Sequence, residues 1–152
     1  MIDDLELLPN PEYKSITEAF KEESVLATTS DSAVERDGIA VWVEQTIIET
    51  VWNGDSDSIP DFMCIADATG GEVCSTQVAI PIKTAKINFI DFAPGRNDVL
   101  IVATGQGVFV IEIDGRSKRT VIPLYIGQGV EAKIIGGKVY IKDASRLFAV
   151  QL

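Results

Sequence analysis

The stretch "NDVLIVATGQGVFVIEIDGR", residues 97–116, decides the fold. Its Gly105-Gln106-Gly107 lies between two apolar runs and reads either as a phosphate-cradling loop or as a turn in a sheet. A dinucleotide loop needs a third glycine and opens a helix whose N-terminal N–H groups meet the pyrophosphate. Here Val108-Phe109-Val110 follows at once, a strand pattern with no helix start. Gly127-Gln128-Gly129 fails the same test. The reading is a turn. Val99-Leu100-Ile101-Val102-Ala103 is apolar at every position and Val108-Phe109-Val110-Ile111 nearly so. Short β-branched runs of this kind suit strands buried on both faces.

Working outward, Ile87–Phe92 precedes this pair and closes on Ala93-Pro94-Gly95, a turn signal. Thr120–Ile126 follows, with Pro123 inside a strand pattern, which belongs on a sheet edge where no donor is missed. Residues 87–126 therefore read as a four-stranded antiparallel meander. Upstream the same reading gives strands at Ser24–Thr28, Ile39–Val43, Phe62–Ala66 and Gln77–Ile82, with residues 45–60 as an insertion between the second and third. Ile80-Pro81-Ile82 matches Ile122-Pro123-Leu124 at an offset of 42. Val139-Tyr140-Ile141 echoes Val99-Leu100-Ile101 at 40, and Leu147-Phe148-Ala149 echoes Val108-Phe109-Val110 at 39. Four strands recurring about every forty residues mark propeller blades.

On these residues the chain resembles a known family. "FIDFAPGRNDVLIVATGQGVFVIEIDGR" looks like a TolB-type β-propeller blade, departing from it in having Gly95-Arg96-Asn97-Asp98 after Pro94 in place of Asp-Gly. "KVYIKDASRLFAVQL" is similar to the closing blade of propeller regions in bacterial envelope proteins that also carry PEGA domains, although no PEGA domain is recognisable. The resemblance implies an all-β protein and a bacterial cell-envelope setting. It reports fold more than function.

The expected organisation is an N-terminal extension, 1–23, and a β-propeller-like repeat domain, 24–152, with blades at about 24–84, 85–128 and 129–152. That is about two and a half blades, whereas closure takes about four to eight. The stack is then open, completed by oligomerisation, or part of something larger. Within 1–23, Asn10-Pro11 with Tyr13, Ile16 and Phe20 at helical spacing predicts a short amphipathic helix over 11–22. Residues 4–8, "DLELL", offer an outer strand for the last blade.

Composition narrows the function. The chain has 152 residues, 46% of them hydrophobic and 24% charged, as in an ordinary globular domain. No stretch is long and apolar enough for a membrane helix, and the acidic N-terminus has no signal-peptide core. The net charge of −10 is uneven: residues 1–80 carry 17 acidic and 3 basic side chains, residues 81–152 carry 6 and 10. The expectation is no nucleic-acid partner, with Arg116, Lys118 and Arg119 of "GRSKR" as candidate contacts for an acidic protein, weighed against a merely solvated loop. There is no histidine, which removes Ser–His and Cys–His nucleophile pairs and most zinc sites. Twenty-three acidic residues make accidental carboxylate pairs common, and none reads as a catalytic dyad. The chain is read as not an enzyme and without a cofactor.

Three further features are weighed. Asn53, Asp55 and Asp57 begin like a calcium loop, but Ser58 and Cys64 stand where an EF-hand has glycine and glutamate. Cys64 and Cys74 flank "IADATGGEV"; in a hairpin centred on Thr69 they oppose each other, within reach of a disulfide, a one-residue slip sends them to opposite faces, and two buried free thiols are the default reading. Trp42 reads as core, and Trp52, among polar residues, as either loop packing or an exposed anchor. The function expected is therefore a non-catalytic interaction or scaffold module, with a protein partner or self-association. The alternative is a ligand-binding propeller domain for glycan or calcium, using the acidic 53–61 loop, and a carboxylate hydrolase ranks last.

Overall fold

The computed structural model describes residues 5–8, 10–23, 25–82, 86–116 and 118–152. Strands β8 (Ile87–Phe92), β9 (Val99–Thr104), β10 (Gly107–Glu112) and β11 (Val121–Ile126) form one antiparallel sheet in sequence order. Every residue of β9 is buried. Alternate side chains divide between two cores: Leu100 and Val102 point one way, Val99, Ile101 and Ala103 the other. The unbroken apolar run is thus the signature of a sheet packed on both sides.

The turn between β9 and β10 is Gly105-Gln106, with Thr104 directly opposite Gly107. The Gln106 carbonyl accepts the Gly127 N–H at 3.0 Å, and the Gly105 carbonyl accepts the Gly129 N–H at 3.4 Å. The glycine N–H groups of the second stretch are thus taken up by carbonyls of the first, and the Gln106 N–H donates to the Thr104 hydroxyl at 3.1 Å. Gly107 lies so close to β11 that a Cβ there would overlap the Tyr125 carbonyl oxygen.

The first sheet pairs β2 (Val34–Arg36), β3 (Ile39–Glu44), β4 (Ile47–Trp52) and β7 (Gln77–Pro81). This corrects the sequence reading in two places. Residues 47–52 are the third strand, not part of an insertion, because the two-residue turn Gln45-Thr46 reverses the chain with Gln45 at φ 59°. That turn lacks glycine and proline, so nothing in composition announces it. The first strand is Val34–Arg36, not Ser24–Thr28; of that earlier segment Ala27 contributes a single carbonyl bond to the Val43 N–H, and Ser24 lies outside the described residues. The inserted segment is 53–76. It holds 3-10 turns at Ser56–Ser58 and Asp61–Met63 and a separate hairpin, β5 (Cys64–Ala66) with β6 (Glu72–Cys74).

The third sheet contains β12 (Glu131–Ile135), β13 (Lys138–Asp143), β14 (Arg146–Val150) and, outermost, β1 (Leu5–Leu7) paired antiparallel with β14. Among the described residues the count is three four-stranded sheets, with the N-terminal strand as the outer strand that residues 4–8 offered. The matched sequence segments take matching places. Val99–Ile101 and Val139–Ile141 lie in second strands, Val108–Val110 and Leu147–Ala149 in third strands, and Pro81 and Pro123 in outermost strands, where no further strand needs their missing N–H.

The sheets stack in chain order. Ile39, Val41, Val43, Ile48 and Ile80 of the first meet Phe92, Leu100, Val102 and Ile111 of the second. Ile101, Ala103, Val108 and Leu124 of the second meet Val139, Ile141 and Val150 of the third. Helix α1 (Asn10–Lys21) covers the far face of the third, burying Ile16 and Phe20 against Tyr140, Leu147 and Ala149. Tyr13 Oη donates to the Ser145 carbonyl at 2.6 Å, and Lys133 Nζ donates to the Ala19 and Glu22 carbonyls at 2.6 Å each. A cation on the last carbonyls of a helix offsets both unpaired acceptors and the negative end of its dipole. At the other end of the stack, register places Ala40, Trp42, Glu44, Ile47, Glu49, Val51, Gln77, Ala79 and Pro81 on the outward face of the first sheet. Ala40 and Trp42 are buried, whereas Ile47, Gln77, Ala79 and Pro81 are exposed.

Asp91 lines the crevice between β8, Lys133 and the end of α1. Burial raises its carboxyl above the ordinary value of 3.8, against the opposing pull of the Phe92 N–H and the Arg36 charge. With the folded value raised, its contribution is full below 3.8 and is lost as pH rises through the folded value. Asp91→Asn keeps an acceptor for the Phe92 N–H and carries no charge. The variant is expected to match the parent at acid pH and to become relatively more stable as pH rises through that window. Urea unfolding at stepped pH checks this; a stability gap independent of pH would refute it.

Candidate functional site

The 53–76 insertion meets Ile113, Gly115, Arg116 and Arg119, which follow β10, at one surface. Register pairs Cys64 with Cys74, Ile65 with Val73 and Ala66 with Glu72, and Cys64 and Cys74 are joined as a disulfide. The turn is closed by Asp67, whose carboxylate accepts the Thr69 hydroxyl at 2.8 Å and the Thr69 and Gly71 N–H groups at 2.9 and 2.7 Å. Those bonds, the Thr69 hydroxyl first, hold the Asp67 carboxyl below its usual range.

Ile65 and Val73, each 51% exposed, form an apolar pair on the hairpin surface. They share a groove of about 340 Å³ with Phe62, Val78, Ile113 and Arg119. Arg119 donates to the Glu112 and Ile113 carbonyls at 2.9 and 3.0 Å, and its partial burial pulls its pKa down. On the other side of the hairpin Cys64, Gly70, Gly71, Glu72 and Arg116 line a second depression of about 250 Å³. Arg116 pairs with Asp114 at 2.7 Å, and this hydrogen-bonded contact lowers the Asp114 carboxyl.

Of the residues singled out in the sequence, the fold thus gathers Cys64, Cys74, Arg116 and Arg119 around one hairpin. Lys118 is exposed on the same segment. Trp52, Asp55 and Asp57 line neither depression. Trp52 is half-buried and packs against the first core, its ring between Gly38 and Gly54, and its Nε1 donates to the Asp55 carbonyl at 2.8 Å. Asp55, Asp57 and Asp61 are exposed. Among the described residues, the close group of metal-ligating side chains is Cys64, Glu72 and Cys74, not the acids of the 53–61 loop.

Several functional-looking contacts carry no local sequence signal. Tyr125 Oη donates to Asp143 across the second and third sheets, and this bond raises the phenol pKa. Arg146 joins the pair from 3.0 Å on Asp143 and lies over the Phe148 ring. Arg36 donates to the Ala93 and Arg96 carbonyls at 2.6 and 3.1 Å, tying the first sheet to the second. The Tyr125–Asp143 and Arg36–Ala93 contacts join residues 18 and 57 apart in sequence and are visible only once the sheets are stacked. Comparison with known proteins adds nothing to this surface: no family model, no curated protein and no solved structure matches the chain.

Proposed function

We propose that this chain is a non-catalytic interaction or scaffold module built from β-propeller-type blades, belonging to a bacterial envelope-associated protein and binding a protein partner or a second copy. Three consecutive four-stranded antiparallel sheets, each holding three or four successive strands and stacked face to face, support the blade reading. The sequence resemblance supports the envelope setting, and the Cys64–Cys74 bond fits an oxidising compartment.

One observation carries the interaction reading: the two ends of the stack are finished differently. Helix α1 closes the third sheet, while Ile47, Ala79 and Pro81 stay exposed on the outward face of the first. Exposed apolar surface on a sheet face is where another surface docks. The test uses light scattering, crosslinking and affinity capture on the intact chain and on Ile47→Glu/Ala79→Glu. The intact chain is expected to self-associate or capture a protein, and the double variant to lose this with an unchanged melting curve. A parent chain that neither self-associates nor captures a protein would sink the reading. A double variant that binds as well as the parent would remove this face from it.

A further inference from the structure

We infer that the β5–β6 hairpin is a redox-gated metal site, in which Cys64, Cys74 and Glu72 take one thiophilic divalent cation of the zinc type once the disulfide is opened. The inference is independent of the interaction reading, since it concerns the reduced chain and another surface. The two sulfurs and a Glu72 carboxylate oxygen all lie within 4.8 Å of one another. Glu72 Oε1 stands 3.7 Å from Cys74 Sγ, because residues two apart on a strand share a face. Two thiolates and a carboxylate, with water in the fourth position, form a donor set suited to a tetrahedral zinc-type ion.

The fold keeps these ligands together after reduction. Backbone bonds flank the pair on both sides, Asp67 N–H to the Gly71 carbonyl at 2.8 Å and Ser75 N–H to the Met63 carbonyl at 3.1 Å. Cys74 is exposed, so a reductant reaches it, while Cys64 is buried and held in place. A water-soluble phosphine opens the S–S bond: phosphorus is oxidised to the phosphine oxide with oxygen from water, and the two sulfurs receive two electrons and two protons. The cation then displaces both thiol protons as two metal–sulfur bonds form.

The probe is Cd²⁺, followed by thiolate-to-cadmium ultraviolet absorption and equilibrium dialysis on the full chain, oxidised and phosphine-reduced. The reduced chain is expected to bind one Cd²⁺ and the oxidised chain none at this site. Reduced Glu72→Gln, an exposed substitution, is expected to bind more weakly by about tenfold or more. Reduced Cys74→Ser is expected to lose most of the absorption band. Circular dichroism confirms that each reduced chain stays folded. Equal uptake by the oxidised chain, no uptake by the folded reduced chain, or undiminished affinity in Glu72→Gln would each overturn the inference.

Discussion

Gly107→Ala is expected to lower stability by about 3 kcal/mol or more, at or above the top of the usual range for overpacking. A Cβ at this position would overlap the Tyr125 carbonyl oxygen, and Ile126 Cα lies only 3.3 Å away. Both obstacles are backbone, so no side chain can rotate aside. Strand β11 would have to move outward, at the point where its register against β10 already shifts between Val108 and Phe109. That movement draws Leu124 from the second core and Tyr125 from Asp143 and Arg146. The control is Gly105→Ala, whose Cβ would meet nothing within 4 Å. It is expected to fall within about 0.5 kcal/mol of the parent. Thermal melting of the two variants decides the matter, and equal shifts would mean that close approach of β11 is not what position 107 requires.

Removing residues 1–22 is the second large effect. Ile16 and Phe20 are each 6% exposed, and burial of two such side chains stabilises by about 3–6 kcal/mol. Their loss corresponds to a drop in melting temperature of about 10 °C or more for a domain of this size. The shortened chain also bares the edge of β14 and the apolar face formed by Tyr140, Leu147 and Ala149. An unpaired strand edge beside uncovered apolar surface invites pairing with another chain. Concentration-dependent self-association is therefore expected, read by light scattering alongside melting. A monomeric shortened chain with the parent's melting temperature would show that the N-terminal segment does not seal the third sheet.

Much of the fold was legible in particular residues. The unbroken run Val99–Ala103 announced a strand between two cores, and Leu100 and Ile101 indeed point into different ones. Glycine and proline marked most reversals, because left-handed backbone and a missing N–H are properties of those residues themselves. The turn Gln45-Thr46 escaped because a glutamine in the left-handed region leaves no mark in composition. That omission displaced the third strand of the first sheet and made the insertion begin too early. "DLELL" suggested an outer strand, but its antiparallel pairing with β14 joins residues near opposite ends of the chain.

The candidate site divides in the same way. Spacing around Thr69 allowed Cys64 to oppose Cys74, and the hairpin's register, which the turn fixes, put them there. No spacing placed Arg116 beside Glu72, or Lys133 beneath the end of α1. Sequence by itself determined the second sheet's strands, the glycine- and proline-marked turns and the buried alternation of Val99–Ala103, all of which arise from neighbours along the chain. The tertiary structure alone decided which sheet face was covered, which stayed open, and which distant charges met. Those outcomes depend on how the finished sheets stack, and stacking brings together residues that share no local pattern.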